Sequence, residues 1–267
     1  MNITKMKTLT LITFISIFAA SCGIKKPQKP KNADVKSTMY NDLSEKMVED
    51  LKAGRSVKDI QDKFANVSEE DLRKGLPDDA NRKSFWINVY NGYIIAILKK
   101  DKSQYKDRNA FFAKKQVKIA GHTLSFDDIE NGMIRKSQYK FGLGYIRKIL
   151  PSAFERHLRV DDRDFRIHFT INCGAKSCPP VRVYKPDGLY DQLENAAKAY
   201  LTDHTKYYKE KNQVESSVLM SYFRGDFGGK SGQKTILKDF KLIPENSDPK
   251  ITYGPYDWTL DIDNFAK

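Results

Sequence analysis

The sequence has 267 residues, with 47 Lys and Arg against 34 Asp and Glu, which gives a formal charge of +13. Hydrophobic residues make up 40% and aromatic residues 12% of the chain, a composition that excludes a disordered polar protein and allows one large core. The 3 cysteines are too few for a disulfide-stapled miniprotein or a four-cysteine zinc module. The positive charge points first to nucleic acid as a partner to be tested.

The amino terminus, residues 1–21, is predicted to be a signal peptide. Lys5 and Lys7 precede an uncharged apolar run of 13 residues, Thr8–Ala20, which is too short to span a bilayer but typical of a secretory signal. The run ends in Ala-Ala-Ser-Cys, which resembles a bacterial lipobox with alanine where leucine is usual. We expect cleavage before Cys22 and lipidation of its thiol. An ordinary signal peptide with a chance cysteine is the alternative.

Residues 22–37 are predicted to form the lipidated cysteine and a basic flexible tether. Gly23–Lys36 contains two prolines and five lysines but no aromatic residue, so it has little to bury. Lysines beside a lipid anchor are attracted to anionic headgroups, which accounts for much of the positive charge. We therefore expect no nucleic-acid partner, and a chain that is exported and anchored to a bacterial membrane in the periplasm or at the cell surface.

Residues 38–267 are predicted to form a single α+β domain, with a central buried helix packed on a small antiparallel sheet. Apolar residues at helical spacing and capping residues predict most of the helices. These are Met39–Leu51, ended by Gly54; Val57–Phe64; a third capped by Ser68; Asp78–Lys100, apolar on most faces and therefore central; one capped by Ser125; and Leu189–Leu201.

Alternating and short apolar runs predict the strands. These are a hairpin over Val117–Leu124, Asp164–Asn172 as the clearest strand, Val218–Met220, and edge or docking segments at Ile251–Tyr253 and Tyr256–Leu260. The four glycines of Gly225–Gly232 predict a flexible loop.

The segment Arg166–Pro180 is the most informative, because it places His168, Cys173 and Cys178 within eleven residues. Three arrangements are open. An imidazole can activate a thiolate nucleophile; the two cysteines can form a disulfide in an oxidising compartment; or the three side chains can hold a metal, which needs a fourth ligand and fits the usual zinc spacing loosely. We expect neither a metal nor a cofactor.

Local sequence favours Cys178 as the nucleophile over Cys173. Cys178 precedes two prolines, which suit a helix start, and exposed backbone N–H groups there would lower the pKa of its thiol and hold an oxyanion. Cys173 follows the predicted strand closely but has the opposite side-chain parity to His168.

Five ordered motifs carry a resemblance to a known family: FWINVYNGY, DDIENGMIR, RIHFTINCGAKSCPPVRVY, DQLENAAKAYL and YDWTL. Together they resemble the family catalogued as domain of unknown function 547, over about Lys83–Leu260. The resemblance implies a papain-like fold related to papain-like and transglutaminase-like thiol enzymes, with a Glu-His-Cys triad. It also implies an exported or lipid-anchored bacterial protein, in agreement with Cys22.

Transferred to this chain, the resemblance implies catalytic roles for Glu130, His168 and a cysteine of the CGAKSC pair. Cys178 would attack an acyl carbon, His168 would carry its proton, and Glu130 would orient the imidazole. The alternative for Glu130 is an acid in the first turn of a helix that interacts with the helix dipole.

Three asparagines complete the candidate site. Asn88 and Asn91 share a face of the aromatic helix, and Asn172 lies on the polar face of the predicted strand with His168. All three are candidate substrate-binding residues, and the alternative for Asn88 and Asn91 is that they are buried polar braces that hold a neighbouring loop or strand.

The leading hypothesis is a membrane-anchored thiol hydrolase or acyltransferase that acts on amide or ester bonds in the cell envelope. The alternative is a non-catalytic envelope protein that binds a partner and uses a Cys173–Cys178 disulfide as a staple. We expect a monomer whose partners are membrane lipid, through Cys22, and an envelope peptide, glycan or ester.

Overall fold

A computed structural model describes residues 35–266. The predicted signal peptide, Cys22 and nearly all of the predicted tether lie outside the described residues. Within them, nine α-helices follow one another along the chain. They are α1 (Met39–Lys52), α2 (Lys58–Asn66), α3 (Glu69–Gly75), α4 (Asp79–Lys100), α5 (Arg108–Ala113), α6 (Ala153–Leu158), α7 (Leu189–Asp203), α8 (Leu219–Tyr222) and α9 (Gly229–Asp239). The described residues also form three 3₁₀ helices and one π-helix. The 3₁₀ helices are Lys102–Lys106, Phe165–Phe169 and Lys209–Lys211, and the π-helix is Asp128–Ile134.

Two small sheets accompany the helices. The first is an antiparallel hairpin of β1 (Val117–Ile119) and β2 (His122–Leu124). The second has the order β3–β4–β5 (Lys206–Tyr208, Gln213–Ser216 and Lys250–Tyr253). Its β3 and β4 are antiparallel, but β4 and β5 are parallel, because α8 and α9 lie between them and carry the chain back across the sheet. The fold is therefore a mixture of helices with small sheets, and the larger sheet is mixed rather than antiparallel as predicted.

Helix α4 is the buried centre that its sequence predicts. Asp78 caps it by accepting hydrogen bonds from the backbone N–H groups of Ala80 and Asn81, and the helix then stays apolar on most faces. Trp86 is fully buried, and its indole N–H donates to the carbonyl of Leu158 at 2.8 Å. Helix α1 packs along α4, and the π-helix packs on it as well. The predicted helices over α1, α2, α3 and α7 and the predicted hairpin are likewise confirmed.

The segment predicted as the clearest strand is not a strand. Phe165–Phe169 forms a 3₁₀ turn whose residues are all buried. Asp164 starts the turn by accepting a hydrogen bond from the backbone N–H of Arg166, and its carboxylate pairs with the Arg166 guanidinium at 2.7 Å. The alternation of polar and apolar residues arises because the polar side chains have buried partners, not because one face meets solvent.

The carboxyl-terminal third differs most from the sequence-based expectation. Val218–Met220 begins a short helix instead of a strand, with the Ser217 hydroxyl accepting from the N–H of Leu219 at 3.2 Å. The glycines of Gly225–Gly232 form a tight turn and the start of α9 instead of a flexible loop. A Cβ on Gly232 would lie 2.1 Å from the carbonyl oxygen of Phe227, so glycine is needed there for close packing. The strand at Ile251–Tyr253 is confirmed as part of edge strand β5.

Candidate functional site

The predicted reactive side chains line one cavity of about 540 Å³. Glu130, His168, Cys173 and Cys178 all contribute to its wall. Aromatic and aliphatic side chains form most of the remaining surface, namely Tyr90, Phe112, Phe141, Ile171, Leu219, Tyr222, Phe223, Tyr256 and Trp258. A cavity of this size and apolar character, with a few convergent polar groups, is typical of a site for a small ligand or a substrate side group.

The two thiols lie next to each other in this cavity. Their sulfurs are unbonded and 2.6 Å apart. The Cys178 sulfur accepts a hydrogen bond from the backbone N–H of Cys173 at 3.0 Å and lies 3.1 Å from the Tyr256 hydroxyl. Cys178 is buried, whereas Cys173 is partly exposed. Cys173 is therefore the more accessible of the two thiols in the cavity wall.

Electrostatics also distinguish the two thiols. A hydrogen bond from the Cys178 thiol lowers the pKa of Cys173, and the Ala175 N–H and the Tyr256 hydroxyl act in the same direction against the effect of burial. Burial raises the pKa of Cys178 well above its usual range, and the adjacent Cys173 adds to the increase. The pair thus holds its first negative charge on Cys173, which is the thiol that is more readily present as the reactive thiolate.

The chain between the thiols folds as a tight turn. Gly174 has a φ of +89°, a conformation that favours glycine, and Ala175 accepts a hydrogen bond from the N–H of Cys178 at 2.9 Å. No helix begins directly after Cys178, because the next helix, α7, starts at Leu189. The argument that favoured Cys178, a helix start with free N–H groups, therefore has no support in the structure.

His168 is held by a carboxylate from a distant part of the chain. Its Nε2 lies 2.8 Å from Oδ2 of Asp226, and its ring stacks on Phe223 with centroids 4.0 Å apart. Burial lowers the pKa of His168, although Asp226 opposes the effect. Because Asp226 accepts the Nε2 proton, the neutral ring has a bare Nδ1, which is buried and has no hydrogen-bond partner. An imidazole in this state can accept a proton.

Asp226 is the functional residue that the sequence did not reveal. Its carboxylate pairs with Arg135 at 2.7 Å and with Arg163 at 3.2 Å, in addition to His168. Despite burial, the hydrogen bond with His168 and the charge of Arg135 lower the pKa of Asp226 to about 2. The carboxylate is therefore ionised at neutral pH, and it is this carboxylate, rather than that of Glu130, that contacts the imidazole. The signal was present as an acid among the glycines of Gly225–Gly232.

Glu130 lines the same cavity but has a different partner. The π-helix carries it to the wall, where it accepts a hydrogen bond from the Tyr90 hydroxyl at 3.3 Å. Burial raises the pKa of Glu130, and Arg135 only partly offsets the effect. Ionised Glu130 raises the pKa of Cys173 by repulsion. Burial thus shifts the Glu130 carboxyl towards its neutral form, in which it would not repel a Cys173 thiolate and could donate a proton inside the cavity.

The three asparagines bind backbone instead of facing the cavity. Asn88 accepts from the N–H of Tyr184 at 3.0 Å and donates to its carbonyl at 2.8 Å. Asn91 accepts from the N–H of Asn172 and donates to the carbonyl of Thr170. The Asn172 side chain in turn joins Pro179 and Gly174. These contacts support the bracing alternative: α4 fixes the chain that carries His168 and the thiols.

Among residues 35–266, no group of three or more His, Cys, Asp and Glu side chains is arranged to hold a metal ion. In the same part of the chain, no helix has the length and apolar character needed to cross a membrane.

Comparison with known proteins supports the resemblance over part of the chain. Residues 74–201 match the family model described as "Protein of unknown function, DUF547". This match includes Glu130, His168 and both thiols but ends before Asp226 and Tyr256. Neither the search of curated proteins nor that of solved structures returned a match. Over residues 74–201, the chain is thus similar to a family that is described without a function.

Proposed function

We propose that the protein is a thiol hydrolase or acyltransferase with Cys173 as nucleophile, His168 as base and Asp226 as the residue that orients the imidazole. One observation carries the proposal: the partly exposed low-pKa thiol and a buried imidazole with a bare Nδ1 line the same cavity. This is the arrangement of nucleophile, base and orienting acid on which thiol acyl transfer depends.

In the proposed reaction, the Cys173 proton passes to Nδ1 of His168, and Asp226 stabilises the resulting imidazolium. The sulfur attacks the acyl carbon of an amide or ester, forming a C–S bond. The bond to the leaving nitrogen or oxygen then breaks, and that atom takes the proton from the imidazolium. Water or an acceptor nucleophile next attacks the thioester carbon and gives its proton to His168. The C–S bond breaks, the acyl product leaves, and the imidazolium returns the proton to the Cys173 sulfur.

Two hydroxyl or carboxyl donors are placed to assist this reaction. The Tyr256 hydroxyl lies 3.1 Å from the Cys178 sulfur and 3.7 Å from the Cys173 sulfur, so it can donate to a thiolate or to an oxyanion formed beside it. Glu130, whose pKa is raised by burial, is a second candidate donor at the cavity wall in its neutral form. His168 is hydrogen bonded to neither sulfur among the described residues; in ligand-free sites such contacts are often long and tighten when substrate binds.

The test is to trap the acyl intermediate with a simple activated ester, p-nitrophenyl acetate, and to locate the thioester by peptide mass spectrometry. We expect acetylation of Cys173, loss of this adduct in Cys173→Ala, and at least about tenfold slower acetylation in His168→Gln. His204→Gln is the matched control, because His204 stacks on Tyr200 and does not line the cavity. Equal acetylation rates in the two histidine variants would remove His168 from the mechanism.

The proximity of the sulfurs favours one second candidate, a non-catalytic binding protein stapled by a Cys173–Cys178 disulfide. Thiol titration before and after reduction, on protein recovered from an oxidising compartment, separates the two. The first function requires a free thiol at Cys173 before reduction, whereas the second requires that both thiols appear only afterwards. We further propose, from the lipobox-like sequence at Cys22, that the chain acts as an exported lipoprotein on the cell envelope. Metabolic labelling with a fatty-acid analogue, compared in Cys22→Ser, tests this anchor.

A further inference from the structure

A protruding segment beside the cavity exposes a cluster of apolar side chains. We call residues 136–151 the apolar loop. Ile149 and Leu150 are each 92% exposed and Phe141 is 75% exposed. Tyr139, Leu143, Tyr145 and Ile146 are exposed as well. In the described chain, only Met39 and Tyr222 are large exposed apolar residues outside this loop. A concentration of this kind marks an interaction surface.

The backbone of the apolar loop is ordered by its own hydrogen bonds. Gln138 and Arg147 form an antiparallel bridge, and the N–H of Tyr139 donates to the carbonyl of Ile146 at 2.8 Å. The tip is tied to the turn that carries Asp226, because the N–H of Gly225 donates to the carbonyl of Leu143 at 2.7 Å. These bonds hold the Gln138–Arg147 part of the loop as a fixed frame, from which the apolar side chains project.

The charge of the apolar loop indicates the kind of partner. The loop contains Lys136, Lys140, Arg147 and Lys148 and no acidic residue. Lys140 and Lys148 are paired with carboxylates behind the loop. Exposed Arg147, in contrast, makes no ion pair with any residue in the 35–266 range. Aromatic and aliphatic tips flanked by basic side chains match the boundary between the headgroups and the acyl chains of an anionic bilayer.

We propose that the apolar loop docks the domain on the surface of an anionic membrane, with Ile149 and Leu150 inserted at the acyl boundary. Arg147 contacts the headgroup phosphates. Phe141 belongs both to the loop and to the wall of the cavity, so docking places the cavity mouth at the headgroup level. This binding is independent of the thiol chemistry and of Cys22, and it persists in a protein whose Cys173 is inactive.

The test uses tryptophan quenching by brominated lipids, with the full chain carrying Leu150→Trp. Mixed with vesicles of phosphatidylcholine and phosphatidylglycerol, Leu150→Trp should show a blue shift and strong quenching. Met39→Trp is the matched control, because Met39 is 63% exposed but lies outside the loop. The tryptophan introduced at position 39 should be unquenched. Residues 1–34 are the same in both proteins, so their own lipid binding does not separate them. Equal quenching at both positions would overturn the proposal.

Two further measurements complete the design. Ile149→Glu with Leu150→Glu should reduce partitioning onto the anionic vesicles, in a background with Cys22→Ser, by at least about tenfold, and Arg147→Gln should weaken the salt dependence of binding. Because Ile149 and Leu150 are almost fully exposed, we expect the double substitution to leave folding unaffected. Circular dichroism checks this. If sedimentation velocity instead shows a wild-type dimer that the double variant dissociates, without any lipid quenching, the loop is a self-association surface and the proposal is wrong.

Discussion

Nε2 of His168 and Oδ2 of Asp226 lie 2.8 Å apart, although 58 residues separate them in the chain. Two arginines share the same carboxylate, so the contact belongs to a buried charge network. An ionised group that is paired in the folded state stabilises the fold only while it stays ionised. The network therefore has a pH signature that does not depend on any substrate.

The first prediction concerns acid stability. Asp226 has a folded pKa of about 2, below the ordinary aspartate value of about 3.9. A lowered carboxylate pKa contributes stability that is complete above the unfolded pKa and is lost as the pH falls through the folded value. We expect Asp226 to contribute about 2 kcal/mol to the free energy of unfolding at pH 6, lost between about pH 4 and pH 2. Urea unfolding of wild type and Asp226→Asn across this range measures it; parallel curves would contradict the assignment.

The second prediction separates the two thiols. At neutral pH we expect iodoacetamide to label Cys173, and Cys173→Ala to leave Cys178 labelled at least about tenfold more slowly, because burial, the largest cause of its raised pKa, remains when Cys173 is removed. Cys178→Ala should keep Cys173 reactive but raise its pKa, since the largest stabilising hydrogen bond is removed. Peptide-resolved mass spectrometry distinguishes both sites from Cys22. Rapid labelling of Cys178 in Cys173→Ala would restore Cys178 as the nucleophile.

The third prediction tests the bracing asparagines. Asn91→Ala removes both hydrogen bonds that tie α4 to Asn172 and Thr170, and it leaves buried backbone groups unpaired. We expect a loss of about 1–3 kcal/mol in the free energy of unfolding. Asn109→Ala, at an exposed position of the cavity wall, should change it by less than about 0.5 kcal/mol. Chemical denaturation of both variants decides between a brace and a ligand-binding amide.

The fourth prediction concerns the glycine turn that presents Asp226. A Cβ on Gly225 would lie 2.6 Å from the carbonyl carbon of Gly144 and 2.7 Å from the N of Tyr145. Because both contacts are with backbone, Gly225→Ala should cost about 1–3 kcal/mol through overpacking. Gly254→Ala is the control, since its nearest contact would be an ordinary 3.8 Å. Thermal unfolding of the pair gives the comparison; similar midpoints would show that the turn yields easily.

Local patterns in the sequence predicted the helices well and the strands poorly. The Asp78 cap and the long apolar run of α4 are local features, and the structure follows them. The segment around His168 alternates like a strand, but its polar residues bind Asp164, Glu194 and Asp226. Partners that come from elsewhere in the chain leave no periodic trace beside the residue they bind. Local patterns likewise did not predict α8, α9 or the parallel pairing of β4 with β5 in the larger sheet.

The sequence alone singled out a rare histidine and two cysteines that lie close together in the chain, and the structure places all three in the wall of one cavity. Their catalytic roles stay predictions. The choice between the thiols depends on burial and on the Tyr256 hydroxyl, which comes from the far end of the chain. The partner of His168 is likewise distant, in a turn whose glycines suggested mobility. Composition indicates that a glycine segment can bend, but only packing shows that it is held.

Asp226, in the glycine turn, also connects the His168 imidazole to the exposed apolar loop. Nη1 of Arg163 donates to the carbonyl of Gly144 in the apolar loop at 2.9 Å and lies 3.2 Å from Oδ1 of Asp226. The Asp226 carboxylate in turn holds His168. The exposed loop and the buried base are thus connected through one arginine and one carboxylate, so the proposed membrane-docking surface and the proposed catalytic base share one contiguous network of hydrogen bonds.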